Sequence, residues 1–205
     1  MTSPATQSDA DLLRLMMAGD ESAFTMLYRR RQAGVFRYAL QMTGSRVIAE
    51  DITQEVFVVL MREASRYDAE RGSLASFLYG VARNNLLRRL EQERRFVALE
   101  DDSDNNGSIG DVLASPGNPH TELSSKETVE RVRSAVLSLP EKYREVVVLC
   151  DLNELSYEEA AEIIGCAVGT VRSRLHRARG LLIEKLQVLN PKLRAGEVRP
   201  ARCFA

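Results

Sequence analysis

The chain has 205 residues, of which 44% are hydrophobic and 28% charged, with 12 Gly and 6 Pro; this is the composition of a globular protein long enough for two small domains. No stretch reaches the roughly 18 unbroken apolar residues of a membrane span, and no basic stretch leads into an apolar one at the N-terminus, so we expect a cytoplasmic protein without membrane insertion. The net charge of -1 would argue against a nucleic-acid partner, but it conceals strongly acidic and strongly basic segments.

The cysteines and histidines favour neither a metal site nor an active site. Cys150, Cys166 and Cys203 are odd in number and too far apart for a CxxC motif, which predicts unpaired thiols and no bound metal. Cys150 lies in an apolar run, where thiols are usually inert. No nucleophile or acid-base pattern surrounds His120 or His176, so we expect no enzymatic activity and no cofactor.

Two helices are predicted in the first half of the chain. One follows Asp20 as a helix cap. Its apolar face consists of Phe24, Leu27, Tyr28, Val35, Ala39 and Met42. The other follows Gly44 and Ser45. Its apolar stripe consists of Ile48, Ile52, Val56, Val59 and Leu60, and its opposite, acidic side carries Glu50, Asp51, Gln54 and Glu55. From the residues alone, an ordinary solvated surface is the simpler explanation of that acidic side.

A third helix is predicted after the break at Gly72 and Ser73. Its first part is apolar and contains Leu74, Phe77, Leu78 and Val81. Its second part is basic, with Arg83, Arg88, Arg89 and Arg94, and it also contains the polar Asn84. Phe77 lies on the apolar stripe, where core packing is the simpler explanation. Only the short Val146–Leu149 run could suit a strand, and it lies between helix-like flanks, so the predicted fold class is all-α.

The segment from Val97 to Leu123 divides the chain into two halves of similar size. It has six acidic residues and no Lys or Arg, and it is rich in Gly, Pro, Asp, Asn and Ser. We therefore predict a flexible acidic linker between two small helical domains at residues 10–96 and 124–190. A disordered N-terminus is predicted at residues 1–9 and a basic tail at residues 191–205.

The strongest local pattern predicts a helix-turn-helix between Leu155 and Arg179. Ser156 and Glu159 form a capping box, which marks a helix start. Gly165 can adopt the left-handed conformation that ends a helix in a tight turn. The buried stripe of the second helix is predicted at Val168, Val171, Leu175, Ala178 and Leu182.

This stripe leaves a basic face of the second helix pointing away from the core. The face consists of Arg172, Ser173, His176, Arg177 and Arg179, with Arg174 at its margin. In the major groove, Arg bonds guanine bidentately while neighbouring Arg and Ser bind phosphates. A solvated basic surface is the alternative, but the capped first helix and the Gly turn favour DNA binding.

The second half of the chain resembles region 4 of the extracytoplasmic-function (ECF) sigma factors. The resemblance rests on LSYEEAAEIIG at 155–165 and GTVRSRLHRAR at 169–179, preceded by LPEKYREV at 139–146. In the first half, AEDITQEVF at 49–57 is similar to region 2.2. SFLYGVARN at 76–84 is similar to regions 2.3 and 2.4. The two motifs occur in the order that the family has.

The resemblance implies a sigma factor that directs RNA polymerase to promoters. It implies that Asp51, Gln54 and Glu55 dock on the clamp helices of the polymerase β′ subunit. It also places the minus 10 promoter element on the third helix and the loop before it. The candidate residues there are Arg83, Asn84, Arg88 and Tyr67, with Phe77 and Tyr79 as further aromatic candidates.

For the second domain, the resemblance implies recognition of the minus 35 element. The candidates are Thr170, Arg172, Ser173, Arg174, His176, Arg177 and Arg179. The polymerase β flap and an anti-sigma factor are further implied partners. The acidic linker either occupies a basic nucleic-acid channel or acts as a spacer. Two other functions stay open: a polymerase-independent helix-turn-helix regulator, and an interaction protein that sequesters another partner.

Overall fold

The computed structural model describes residues 7–69, 72–100 and 122–189, and these residues form helices without a strand. The all-α prediction is confirmed. The first half contains α1 (Asp9–Met17), α2 (Glu21–Thr43), α3 (Arg46–Glu63), a 3-10 turn (Ala64–Arg66) and α4 (Leu74–Glu100). The second half contains α5 (Glu122–Leu137), α6 (Glu141–Val146), a π-helical segment (Val147–Leu152), α7 (Tyr157–Ile164) and α8 (Val168–Leu189). Within the described residues, no helix combines the length and apolar character that crossing a membrane requires.

The boundaries of α2 and α3 follow from local capping. The Asp20 side chain accepts hydrogen bonds from the first backbone N–H groups of α2, and Gly44 ends that helix at φ +72°. Helix α3 then begins after Ser45, as the sequence predicted, and the Ser45 side chain caps it. Helix α1 was not predicted; it begins at a capping box between Ser8 and Asp11.

The N-terminal domain packs α2 against α1, α3 and α4. Leu27 and Tyr38 of α2, Ile52 and Val56 of α3, and Leu78 of α4 are all at most 1% exposed. These residues lie at helical spacing, so each helix turns one apolar stripe toward a shared core.

The C-terminal domain packs α8 against α5, α6 and α7. The Val146–Leu149 run is helical and at most 2% exposed throughout. A continuous apolar run suits a helix that is buried on all sides, because no part of its surface faces water. Cys150 and Cys166 are unpaired thiols, as predicted, and burial raises the pKa of Cys150 to about 11.

The two domains contact each other, chiefly where α4 meets α7 and where α2 meets α5. Helix α4 continues to Glu100 and α5 begins at Glu122, so both ends of the predicted linker are helical. The rest of the linker, with His120, lies outside the described residues. The same holds for most of the predicted disordered N-terminus and for the predicted basic tail, with Cys203.

Candidate polymerase and nucleic-acid interfaces

The acidic side of α3 faces outward. Asp51, Gln54 and Glu55 are all exposed, whereas Ile52 and Val56 are buried in the core. The separation follows from the helical period, because apolar residues at steps of three and four occupy the opposite side. The Asp51 carboxylate also accepts a hydrogen bond from Arg89 of α4 at 3.2 Å.

A cleft of about 620 Å³ lies between the end of α3 and α4. Its lining includes three of the four residues predicted for the minus 10 element, Tyr67, Asn84 and Arg88. The Tyr67 hydroxyl donates to the backbone oxygen of Gly72 at 3.2 Å, and its ring meets the Phe77 ring edge-on, with 5.8 Å between the centroids. Phe77 is half-buried at the edge of the core and also lines the cleft.

Arg83 and Tyr79 are not free in this structure. Arg83 Nε donates to Glu145 Oε1 of the C-terminal domain at 2.6 Å, and the two side chains are 20% and 10% exposed. Tyr79 is buried, and its hydroxyl donates to Asn153 Oδ1 at 3.0 Å. Burial raises the pKa of Tyr79, so this hydroxyl stays a neutral donor. Both residues therefore join the two domains.

The predicted helix-turn-helix consists of α7, a turn at Gly165 and α8. The Ser156 hydroxyl accepts from the Glu159 backbone N–H at 3.1 Å, and the Glu159 carboxylate accepts from the Ser156 backbone N–H at 3.0 Å. Gly165 ends α7 at φ +74°. Val171, Leu175 and the remaining inner positions of α8 pack into the core. The capping box, the turn and the buried stripe are all as predicted.

The outer side of α8 carries Arg172, Ser173, His176 and Arg177, all of them exposed, and we call these four residues the arginine face. The Arg172 guanidinium lies over the Tyr157 ring, 5.9 Å from the centroid. The other predicted residues of α8 differ in their surroundings. Arg179 forms two hydrogen bonds to Asp151, at 3.1 Å and 2.6 Å. Thr170 and Arg174 are only partly exposed.

The comparisons with known proteins match both halves of the chain. Residues 27–96 match the family model Sigma-70 region 2, and residues 129–182 match Sigma-70, region 4. The ECF RNA polymerase sigma-E factor of Haemophilus influenzae is 33% identical over 89% of this chain and 97% of its own length. The chain belongs to the ECF sigma factors of the sigma-70 family.

Two further relatives support the assignment of this chain to the ECF sigma factors. The ECF RNA polymerase sigma factor SigE of Mycolicibacterium smegmatis is 34% identical over 82% of this chain, which spans 64% of that relative's length. The structure of the sigma factor RpoE of Bartonella quintana, in complex with the anti-sigma factor NepR, superimposes with a TM-score of 0.65 at 25% identity. It covers 80% of this chain and 97% of the RpoE chain, so a single superposition includes both domains.

Sequence reasoning missed the apolar part of the outer side of α3. Val47, Val58 and Met61 are 66%, 37% and 53% exposed, and with Asp51 and Gln54 they form one stripe at steps of four and three. We call these five residues the docking stripe. Its spacing is that of a helix seam that packs on another helix. The sequence did contain a sign of this surface, because Val47, Val58 and Met61 are apolar but fall outside the buried stripe predicted for the sigma factor's α3.

Sequence reasoning also missed Asn85, a buried amide in the lining of the cleft. Its Oδ1 accepts from the Arg88 guanidinium, which can only donate, so the amide nitrogen points elsewhere. That nitrogen is buried and has no hydrogen-bond partner among the described residues. The sequence offered one sign of it: Asn85 is a polar residue at a position of the sigma factor's α4 that faces the core, where an apolar residue is expected.

Proposed function

We propose that this sigma factor docks on core RNA polymerase through α3, captures the minus 10 element in the cleft beside α4, and reads the minus 35 element with α8. The observation that carries the proposal is that the docking stripe and the arginine face both point outward, on separate domains. Such a chain can bind a protein with one domain and duplex DNA with the other.

Docking by α3 is supported by the chemistry of its outer side. The docking stripe has apolar side chains at both ends and polar ones in the middle, and Glu55 lies beside it. Apolar side chains supply burial, Asp51 and Glu55 supply negative charge that complements a basic helical partner, and the Gln54 amide supplies hydrogen bonds. We infer that the β′ clamp helices are that partner, and that the β flap binds the second domain.

Capture of the minus 10 element is supported by the composition of the cleft. Melting requires that a base leave the stack, at a cost of a few kcal/mol. Stacking on an aromatic ring returns about 1–3 kcal/mol per base, and Tyr67 supplies such a ring at the cleft wall. Asn84 and Arg88 add donors for base edges and phosphates, and Arg83 would join them once it separates from Glu145.

Recognition of the minus 35 element is supported by the arginine face. An α-helix enters the major groove, where exposed Arg172 and Arg177 can bond guanine. Ser173 and His176 lie between them and can reach bases or phosphates. Thr170, Arg174 and Arg179 flank the face, and we propose phosphate contacts for them.

Regulation by an anti-sigma factor is supported by the Bartonella quintana RpoE, whose structure contains one. We propose the same class of partner for this chain. We also propose that the sigma factor acts in the cytoplasm by binding alone, without catalytic chemistry, and that residues 10–96 and 124–190 are its domains. The acidic linker between them would be either a spacer or a polyanion in a basic channel.

A mobility-shift experiment with promoter DNA tests the proposal against a polymerase-independent regulator. We expect specific binding only when core polymerase and the chain are both present. Replacing Asp51 and Gln54 with Ala should abolish the shift. Glu21→Ala, which removes an exposed carboxylate from α2, is the control and should bind normally. Tight, specific binding by the chain alone would favour the regulator and contradict the proposal.

A further inference from the structure

Tyr157 is the first residue of α7, and its side chain reaches across to α8. The guanidinium of Arg172, a member of the arginine face, lies over the Tyr157 ring at 5.9 Å from the centroid. We propose that Tyr157 is a positioning residue for the minus 35 element, which fixes the direction of the Arg172 guanidinium before DNA arrives. This inference rests on the proposed function, because it requires Arg172 to read a base.

The backbone and the ring of Tyr157 are both held in place. The capping box between Ser156 and Glu159 fixes the start of α7, where Tyr157 lies. Its side chain is half-buried and packs against the core. A tyrosine has only two side-chain torsions, so a ring that packs on one side keeps little freedom. The ring is therefore a rigid support for the guanidinium above it.

A second arginine of α8, Arg179, lies beside the same tyrosine, about two helical turns after Arg172 and on the same side of the helix. Its guanidinium donates two hydrogen bonds to the Asp151 carboxylate, at 3.1 Å and 2.6 Å. Asp151 and, to a smaller extent, the Tyr157 hydroxyl raise the pKa of Arg179. The Tyr157 ring thus contacts Arg172 while its hydroxyl lies near Arg179. Asp151 supplies the negative charge that offsets the two neighbouring cations.

Arg177, the other arginine of the arginine face, has no comparable support. It is exposed, and within the described part of the chain no hydrogen bond, ion pair or ring contact joins its side chain to another residue. Arg177 must therefore give up its side-chain freedom when it binds a base, which costs affinity. Arg172 has already lost part of that freedom through its contact with Tyr157. The two arginines differ in preorganisation, so Arg177 serves as an internal control.

The contact with Tyr157 leaves the hydrogen-bonding groups of Arg172 free. A cation–π contact uses the charge of the guanidinium and none of its N–H donors. Bidentate bonding to guanine requires that two of these donors line up with O6 and N7 of the base. A guanidinium held in one direction therefore favours the correct base pair more than it favours phosphates, whose contacts carry no sequence information. Tyr157 should thus act on sequence discrimination rather than on the general affinity for DNA.

The test measures discrimination at the minus 35 element with the full-length chain bound to core polymerase. The probes are two fluorescent duplexes of a promoter that this complex transcribes, one with the minus 35 element intact and one with it scrambled. Discrimination is the ratio of their dissociation constants. Tyr157→Leu removes the ring and keeps an apolar side chain. Tyr157→Phe keeps the ring, removes only the hydroxyl and is the matched control.

We expect Tyr157→Leu to lower this discrimination by about two- to fivefold, the effect of one exposed cation–π contact, whereas Tyr157→Phe should discriminate as the wild type does. In an Arg172→Ala background Tyr157→Leu should cause no further loss, but in an Arg177→Ala background it should cause the full loss. Equal losses in the two backgrounds would overturn the proposal. So would a loss in Tyr157→Phe as large as in Tyr157→Leu, because the hydroxyl and not the ring would then be the active group.

Nuclear magnetic resonance relaxation of the arginine Nε–H groups reports the same contact in the free chain, without DNA. The order parameter of Arg172 should exceed that of Arg177, and Tyr157→Leu should lower it to the Arg177 value. A tyrosine that only stabilised α7 would leave the two arginines equally mobile, and equal order parameters in the wild type would overturn the proposal. If circular dichroism shows that Tyr157→Leu loses helix, Tyr157→Met replaces it, with the same expected results.

Arg172→Ala alone separates this inference from the proposed function. If Arg172→Ala lowers the discrimination but Tyr157→Leu does not, only the positioning role of Tyr157 is refuted. If Arg172→Ala leaves the discrimination unchanged, the proposed reading of the minus 35 element by Arg172 has itself failed.

Discussion

Leu175 and Arg177 lie two residues apart on α8 and separate its packing role from its DNA role. Leu175 is 2% exposed. Leu175→Ala removes three buried carbons, at about 0.8 kcal/mol each, and leaves a cavity. We therefore expect the free energy of unfolding of the C-terminal domain to fall by about 3–4 kcal/mol. Because Ala has the highest helix propensity, this loss of stability would come from packing and not from a weaker helix. Arg177 is exposed, and Arg177→Ala should change stability by less than about 0.5 kcal/mol.

Urea unfolding of the full chain, followed by circular dichroism, measures the stability of both variants. Promoter binding by the polymerase complex measures the DNA role, and Arg177→Ala should weaken it by about fivefold or more, since a bidentate Arg–base contact contributes about 1–3 kcal/mol. The reasoning is refuted if Leu175→Ala unfolds like the wild type while Arg177→Ala is strongly destabilised, because the inner and outer sides of α8 would then be exchanged.

Three further predictions concern the start of α7 and the loop before it. Glu154 has φ +57°, so Glu154→Gly should stabilise the chain by about 0.5–1 kcal/mol in urea unfolding; a loss would show that the side chain has a role of its own. Ser156→Ala removes the α7 cap and should cost about 1 kcal/mol in the same assay, and an unchanged midpoint would contradict the capping box. Burial acts to raise the pKa of Glu159, but hydrogen bonds from serines lower it below its usual 4.5. The stabilisation by the Glu159 carboxylate is therefore present above pH 4.5 and lost as the pH falls through the lowered pKa. The thermal unfolding temperature of Glu159→Gln should depend less on acid pH than that of the wild type. The same acid dependence in both proteins would refute this prediction.

Local features of the fold were predictable from the sequence because their causes are local. Asp20, Ser45 and Ser156 cap the helices that follow them, and Gly44 and Gly165 end the helices before them. Each depends on hydrogen bonds or backbone conformations within a few residues. Helix α1 was missed although its cap, between Ser8 and Asp11, has the same form. It has only nine residues, which is too short for a helical period to stand out in the sequence.

The outward direction of the candidate interfaces was also predictable, because helical period alone decides which side of α3 and α8 is buried. The pairing of individual charges was not. Arg83 meets Glu145 across 62 residues of chain, and Arg179 meets Asp151 across 28. Such pairs depend on how helices pack in three dimensions, which spacing does not encode. Arg83 therefore looked like a free DNA ligand in the sequence, whereas the fold gives it a protein partner.

Run-off transcription with purified core RNA polymerase over a pool of promoter templates tests the central claim most directly. The account predicts transcripts from discrete start sites only when the chain is added. It also predicts that they are lost when Asp51 and Gln54, or Arg172 and Arg177, are replaced with Ala. A chain that fails to direct core polymerase to any start site, or variants that transcribe as the wild type does, would contradict it.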